Sequence, residues 1–340
     1  MRAILNIQKQ LMPDLLDVMK KRYTILRHIA ASRLIGRRTL AASLNMTERV
    51  LRAEADFLKE QGLVDIDPAG IRLTEAGQKV LDEMEPMAKE LFGLSELEEK
   101  IRDTFHISQV IIVPGDSDTS PYTKKEMGRA GASALRRYVS QETVIAVTGG
   151  STMAEVATHL SPTTALKGSW FVPARGGLGE SVEFQANTIA STMAKKTGGQ
   201  YRLLHVPDHL GEEAYQSLIQ EPNIRELIEV IRSARIVLHG IGEANVMAKR
   251  RRADEATFSA LAREGALAEA FGYYFDRDGV VVHKMPTVGL RLEDIQQTET
   301  VIAVAGGKSK GESIASVLRF GHEDVLVTDE AAAREMLNYT

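Results

Sequence analysis

Residues 144–156 read VIAVTGGSTMAEV. Val144 to Val147 are apolar without a break, the turn residues Thr148-Gly149-Gly150-Ser151-Thr152 follow, and a helical pattern begins behind them. An apolar run bounded by turn residues marks a strand buried on both faces, and a glycine-rich turn into a helix is how a parallel strand starts its crossover. At such a junction the first N–H groups of the helix and the positive end of its dipole face the same way. Glycine lets an anion approach the backbone, and the hydroxyls of Ser151 and Thr152 add donors. The stretch has the form of a phosphate cradle, although glycine-rich turns of this kind also occur as plain turns.

Similar apolar runs recur on both sides of it: VIIV (110–113), SWFV (169–172), RLLHV (202–206), RIVLHGIG (235–242), VIAVAGG (301–307) and DVLVTD (324–329). Helical stretches lie between them, at Lys124 to Val139, Ala186 to Lys196, Ala214 to Ile219 and Ile224 to Arg232. Strand and helix alternating at this spacing predict an α/β fold, a doubly wound, mostly parallel sheet with helices on both faces. Ligands in such sheets lie beyond the carboxyl ends of the strands.

The strand ends therefore name the candidates. They carry Asp116 to Ser120, Thr148 to Thr152, Arg175 to Glu180, Gly240 to Glu243, and Gly306-Gly307-Lys308-Ser309-Lys310. With them come the cations Arg175, Lys308 and Lys310 and the run Lys249-Arg250-Arg251-Arg252. Glycine turns and several cations around one crevice suit a ligand with more than one phosphate, since each dianion needs its own charge-assisted bonds to offset its desolvation. Glu269 and Gln185 are candidates for sugar hydroxyls, with solvated helix surface as the alternative. No catalytic group stands out. His205, His239 and His283 lie in apolar strand context and read as packed core histidines, with a general base as the alternative, and Asp116 and Asp118 read as loop-stabilising side chains, with an acid and base pair or a cation site as the alternative.

The N-terminal part reads differently. Apolar residues at helical spacing from Ile4 to Ile29, among them Leu11, Leu15, Val18, Ile25, Leu26 and Ile29, predict one or two amphipathic helices. Thr39 to Leu44 reads as a short helix and Asn45-Met46 as a tight turn. Thr47 reads as the N-cap of a second helix ending near Gln61, with Val50, Leu51, Leu58 and the alanines on its apolar face. Leu63 to Ile66, the turn Pro68-Ala69-Gly70 and Ile71 to Leu73 form a hairpin before a further helix. Together these make a winged helix-turn-helix, whose second helix is the one that enters a major groove. A basic stripe from Lys20 to Lys59 that includes Lys21, Arg22, Arg33, Arg37, Arg38, Arg49 and Arg52 points to DNA. Candidate contacts are Arg37, Arg38, Thr47, Glu48, Arg49 and Arg52, with solvated helix surface as the alternative for the two last arginines. Leu81 to Ile107 continues at helical spacing through Leu91, Leu94, Leu97 and Ile101, punctuated by Pro86 and Gly93, and reads as a connector whose leucines pack in the core, with a dimer surface as the alternative. The boundary falls near residue 88, giving a DNA-binding domain with its connector at 1–88 and an effector-binding and oligomerisation domain at 89–340.

Composition narrows the class. A length of 340 residues with 44% hydrophobic content suits two globular domains, and a net charge of −4 argues against indiscriminate polyanion binding. With no cysteine there is no disulfide framework, thiolate nucleophile or cysteine-bound zinc, and no His spacing suits a metal. No segment approaches the ~20 uninterrupted apolar residues of a membrane span, and the N-terminus lacks a signal-peptide core. The expectation is a cytoplasmic, soluble protein without metal or cofactor.

A winged helix joined to a sugar-phosphate-isomerase-like domain resembles the SorC/DeoR-type bacterial regulators. The likeness runs along essentially the whole chain, on IGRRTLAASLNMTERVLR (35–52), IIVPGDSDTSP (111–121), KKEMGRA (124–130), VIAVTGGST (144–152), FVPARGGLGE (171–180), YRLLHVP (201–207), HGIGEA (239–244), EAFGYYF (269–275) and VIAVAGG (301–307). The resemblance implies a repressor of the genes for the lower, triose half of glycolysis, induced by fructose 1,6-bisphosphate. Carried over by position, it implies Gly149, Gly150, Ser151 and Thr152 at one phosphate with Arg175 and Gln185 nearby. Arg250 and Arg251 fall at the opposite end, Glu269 toward the sugar hydroxyls and Lys310 in the last glycine loop. Ser151 stands where Thr is expected, with the hydroxyl retained. The implied partners are double-stranded operator DNA, a phosphosugar and further copies of the chain in a dimer or tetramer, with no membrane. The second domain also resembles glucosamine-6-phosphate deaminase and ribose-5-phosphate isomerase, so an enzyme fused to a DNA-binding module is the alternative. Glu243-Ala244-Asn245 replaces the deaminases' Asp-Gly-His run, which removes their acid/base histidine.

Overall fold

The computed structural model describes residues 10–32, 34–177, 181–208 and 212–339, which divide into two compact units between Leu97 and Glu98. Ile4, Arg33 and the segment Leu178 to Glu180, used in the readings above, lie outside the described residues.

In the first unit α1 (Pro13–Ser32), α2 (Arg37–Ser43) and α3 (Glu48–Glu60) precede a hairpin of β1 (Val64–Asp67) and β2 (Gly70–Leu73), and α4 (Glu75–Leu91) follows. This is the winged helix-turn-helix order. Its joints are local: Asn45 takes left-handed backbone, φ 51°, to close the turn between α2 and α3. Thr47 Oγ1 accepts the Val50 N–H at 3.3 Å to start α3, and Thr74 Oγ1 accepts that of Gly77 at 3.0 Å to start α4. Ile25, Leu26 and Ile29 of α1, Leu40 of α2, Leu51, Ala55 and Leu58 of α3 and Ile71 of β2 form the core.

Two details of the sequence reading change here. Val50 is 43% exposed and Ala53 is exposed, and Phe57 takes their expected place against the core. Leu11 and Leu15 are exposed, while Leu16 packs against Leu91. Leu91, Leu94, Leu97 and Ile101 are buried within the chain itself, the core-packing role rather than the dimer surface, and Gly93 (φ +70°) divides their run into α4 and α5 (Leu94–Phe105).

The second unit continues with β3 (Gln109–Val113), α6 (Pro121–Tyr138), β4 (Val144–Val147), α7 (Ser151–Thr158), α8 (Thr164–Lys167), β5 (Trp170–Pro173), α9 (Ala186–Thr197) and β6 (Gln200–Tyr201). Next come α10 (Glu212–Gln220), α11 (Pro222–Arg232), β7 (Ile236–His239), β8 (Gly242–Glu243), α12 (Ala244–Arg250), α13 (Glu255–Arg263), β9 (Ala268–Ala270), β10 (Tyr273–Phe275) and β11 (Val281–Lys284). The chain closes with α14 (Leu292–Gln296), β12 (Thr300–Val304), α15 (Gly311–Phe320), β13 (Val325–Asp329) and α16 (Glu330–Met336).

Seven strands form one parallel sheet in the order β3-β13-β12-β7-β4-β5-β6. From β4 the chain winds outward through β5 and β6, and from β7 it winds the other way through β12 and β13, so the direction reverses between β4 and β7. That switch point is where the loops at the carboxyl ends part and leave a crevice. Ile145, Val147, Leu238, Ile302 and Val304 belong to the core around it.

RLLHV is not a strand. Only Gln200 and Tyr201 pair with β5; beyond them the side chain of Asn187 takes both backbone groups of Leu204, donating to its carbonyl at 2.9 Å and accepting its N–H at 3.0 Å. A side-chain amide thus replaces the neighbouring strand. A second, antiparallel sheet, β11-β10-β9-β8, was not anticipated; its strands are two to four residues long, too short to display a period.

Candidate functional site

The loops after β4, β5, β7 and β12 enclose a cavity of about 230 Å³ at the switch point. All the effector candidates line it: Gly149, Gly150, Ser151, Thr152, Arg175, Gln185, Arg250, Arg251, Glu269 and Lys310. Of the other cations at the strand ends, Lys308 is exposed and does not line it.

One side is the start of α7. Its N-cap is Gly150, at φ +113°, which brings no side-chain oxygen to the first turn. Gly149 is needed because a Cβ there would meet the Phe184 carbonyl oxygen at 2.7 Å. The Lys124 ammonium, from α6, donates to Ser151 Oγ at 2.6 Å. Half-buried Lys310 is held below the usual lysine range, first by burial and then by the positive charges of Arg250 and Lys124, with Asp118 and Glu243 pulling the other way. Three cations gather where an uncapped helix also presents its positive end, an arrangement that favours an anion.

The other side is a closed network. Arg175 grips Asp208 bidentately, Nε to Oδ1 at 2.7 Å and Nη2 to Oδ2 at 2.6 Å, and its Nη1 donates to Glu269 Oε1 at 3.1 Å. Arg251 donates from Nε to Asp208 Oδ2 at 3.1 Å, from Nη2 to Glu269 Oε1 at 2.7 Å and from Nη1 to the Tyr274 hydroxyl at 3.2 Å. The four charged groups are buried. Burial works against the Glu269 carboxylate, yet Arg251 and Arg175 outweigh it and hold its pKa below the usual range. Burial likewise works against the Arg251 charge, and Glu269 and Asp208 more than restore it.

Glu269 owes its place to the hairpin between β9 and β10. Phe271 and Gly272 both take positive φ, 55° and 84°, the two-residue turn that suits a right-handed ribbon. The turn points the Gly272 N–H at Glu269 Oε1, 2.6 Å away, and a Cβ on Gly272 would lie 3.1 Å from Arg175 Nη2. Phe271 lines the cavity and stacks on His239, ring centroids 4.4 Å apart. His239 is the buried core histidine expected, its pKa lowered by burial to about 4; His205 is exposed in the irregular segment and His283 is half-buried.

Lys124, Asp208 and Tyr274 escaped the sequence reading. Lys124 begins the string KKEMGRA and Asp208 follows YRLLHVP, so the rule of inspecting residues behind each strand could have found both. Asp116 and Asp118 do brace loops, accepting backbone N–H groups of Asp118, Lys308 and Ser309. Among the described residues no His, Cys, Asp and Glu cluster suits a metal ion, and no helix is long and apolar enough to cross a membrane.

In the first unit, Arg37 and Arg38 at the start of α2, and Thr47, Glu48, Arg49 and Arg52 at the N-cap and in the first half of α3, are all exposed. The basic stripe is not uniform. Lys21 and Arg22 donate to Glu54 at 3.0 and 2.9 Å, and Arg22 lies 3.6 Å over the Phe57 ring, so these two cations brace α3 against α1. Burial works against the Glu54 carboxylate, but Arg22 and Lys21 prevail and lower its pKa.

A family model for the CggR N-terminal DNA binding domain matches residues 18–88, and one for a sugar-binding domain matches residues 89–338. The chain is 49% identical over 338 residues to the central glycolytic genes regulator of Priestia megaterium, covering 99% of each. It belongs to the family of central glycolytic genes regulators. The Bacillus subtilis member is 48% identical over 337 residues, again covering 99% of each chain. A solved SorC family transcriptional regulator from Enterococcus faecalis is 42% identical, with a TM-score of 0.67 over 71% of this chain and 99% of that one. The winged unit of this central glycolytic genes regulator family member is accordingly a DNA-binding domain, and the cavity lies in its sugar-binding domain.

Proposed function

We propose that this chain is a cytoplasmic repressor of glycolytic genes, bound to operator DNA through its winged helix as a dimer or tetramer, and released when fructose 1,6-bisphosphate fills the cavity. One observation carries the ligand assignment: Lys124, Arg250 and Lys310 gather at the uncapped start of α7, where a phosphate dianion would relieve their mutual repulsion. The names of the two full-length relatives support the choice of target genes.

Release requires that the ligand bind the DNA-competent and the released states unequally, and a fifty-fold change in operator affinity corresponds to ~2.3 kcal/mol of coupling. Gel shifts at fixed salt on a glycolytic-gene operator test the reading. Fructose 1,6-bisphosphate is expected to weaken the complex and fructose 6-phosphate, which lacks the second phosphate, to do so far less. Equal effects of the two sugars, or none from either, would overturn it.

A further inference from the structure

We propose that Val50 reads a thymine methyl group in the operator, an apolar specificity contact beside the arginines. This rests on the DNA-binding role of α3. Leu51, Ala55 and Leu58 are buried and point α3 into its own domain. At about 100° per residue, Val50 lies a quarter turn from Leu51, and Ala53 and Arg49 lie further round, on the side turned outward. Val50 is 43% exposed there, and Arg49 and Ala53 are exposed beside it.

Nothing about helix stability asks for valine at this place. It is β-branched, a weaker helix former than alanine or arginine, and outside the core cluster of its domain. The Thr47 hydroxyl binds the Val50 N–H at 3.3 Å, so the residue sits in the first turn, the part of a recognition helix that meets base edges. A valine side chain offers no hydrogen bond to a phosphate or a base edge. The apolar group that the major groove displays is the thymine C5-methyl, and branched or small side chains complement it. Ala53, one turn on, leaves room for the close approach so short a side chain needs. Glu54, one turn beyond Val50, has its carboxylate turned to Lys21 and Arg22 of α1 and little exposed, so its charge is already paired within the domain.

The test starts from a duplex selected by the full chain out of a random-sequence pool. Each thymine is then replaced singly by deoxyuridine, which removes only the methyl. Wild-type protein is expected to lose affinity about fourfold at one thymine of each half-site, the value of one buried methyl. Val50→Ala is expected to bind the unmodified duplex more weakly and to be indifferent to deoxyuridine at that thymine, while Val50→Thr, which keeps a methyl, restores the discrimination. As Val50 lies outside the core, these variants keep the fold, which the unfolding midpoint verifies. Selection of a tight duplex with no deoxyuridine effect, or an effect that persists in Val50→Ala, overturns the methyl contact alone. Failure to select any duplex overturns the DNA-binding reading with it.

Discussion

Around Arg175 and Arg251 the cavity wall carries two guanidiniums and two carboxylates, Asp208 and Glu269, joined by hydrogen bonds of 2.6–3.1 Å. Around Lys310 it carries a cluster in which Arg250 and Lys124 push the lysine toward its neutral form. Both walls are rich in cations, but the first is closed by two buried carboxylates, whereas in the second burial, Arg250 and Lys124 outweigh Asp118 and Glu243 at Lys310, so that an anion would lower the remaining repulsion. The difference teaches that a cation in a binding pocket has two uses. In a balanced network it holds shape and orients polar groups; in an unbalanced one it binds. Arg175 and Lys310, which look equivalent as cations behind glycine-bearing strand ends, fall on opposite sides of that division.

The largest effect should come from unbalancing the closed wall. Asp208→Ala leaves two buried guanidiniums with one carboxylate between them, and breaking a buried ion network costs about 3–5 kcal/mol. Urea unfolding of the full chain is expected to show that loss in the transition of the sugar-binding domain. A loss below about 1 kcal/mol would mean that water or Tyr274 compensates and that the wall is not closed. Arg175→Ala belongs to the same class and is expected to destabilise as well, so it is a poor probe of ligand contact.

Lys310→Met acts on the other wall. It removes a charge that its neighbours disfavour, so stability without ligand is expected to hold or rise. Bisphosphate affinity is expected to fall about tenfold to a hundredfold, as befits a charge-assisted bond of about 1.5–3 kcal/mol. Calorimetric titration and thermal melts on the same sample separate the two. A variant that loses stability and keeps affinity would exchange the roles of the two walls.

How much of this was legible in the sequence follows from how far each feature depends on its neighbours. The turn after β4 and the order of the winged helix are written in local chemistry, namely apolar runs, glycines and capping threonines, and the structure has them where the pattern puts them. The burial of Glu269 was not legible. Its strand is three residues long, and its surroundings are set by Arg175, arriving from 94 residues away, and by Arg251 from beyond the end of α12. Asp208 stands just behind a run that reads as a strand and was within reach of the rule of inspecting residues behind each strand; what the sequence hides is that Asn187 ends the sheet early and leaves the segment before Asp208 irregular. In Lys249 to Arg252 four adjacent cations look alike, yet helical geometry turns Arg251 inward at the end of α12 and leaves the others exposed. Val50 was assigned to the core because periodicity identifies an apolar residue near the buried stripe but not how far round the stripe extends.

The smallest effect is also the most specific to the unbalanced wall. In the folded chain Lys310 titrates below its ordinary value of 10.5, whereas in the unfolded chain it keeps its proton up to that pH. Between the lowered pKa and 10.5 the unfolded state therefore binds more protons, and stability rises with pH through that window; below it the full cost of the charged lysine is present. A bound phosphate reverses the sign, because a dianion beside Lys310 favours its charged form. Binding then takes up protons, and affinity declines as pH climbs through the window. The phosphate itself adds nothing to this trend above about pH 8, since its second ionisation, near pH 6, is complete. Titration calorimetry in two buffers of different ionisation enthalpy is expected to record a fraction of a proton taken up per bisphosphate in the wild type and none in Lys310→Met. Equal uptake in both would place the titrating group elsewhere than Lys310.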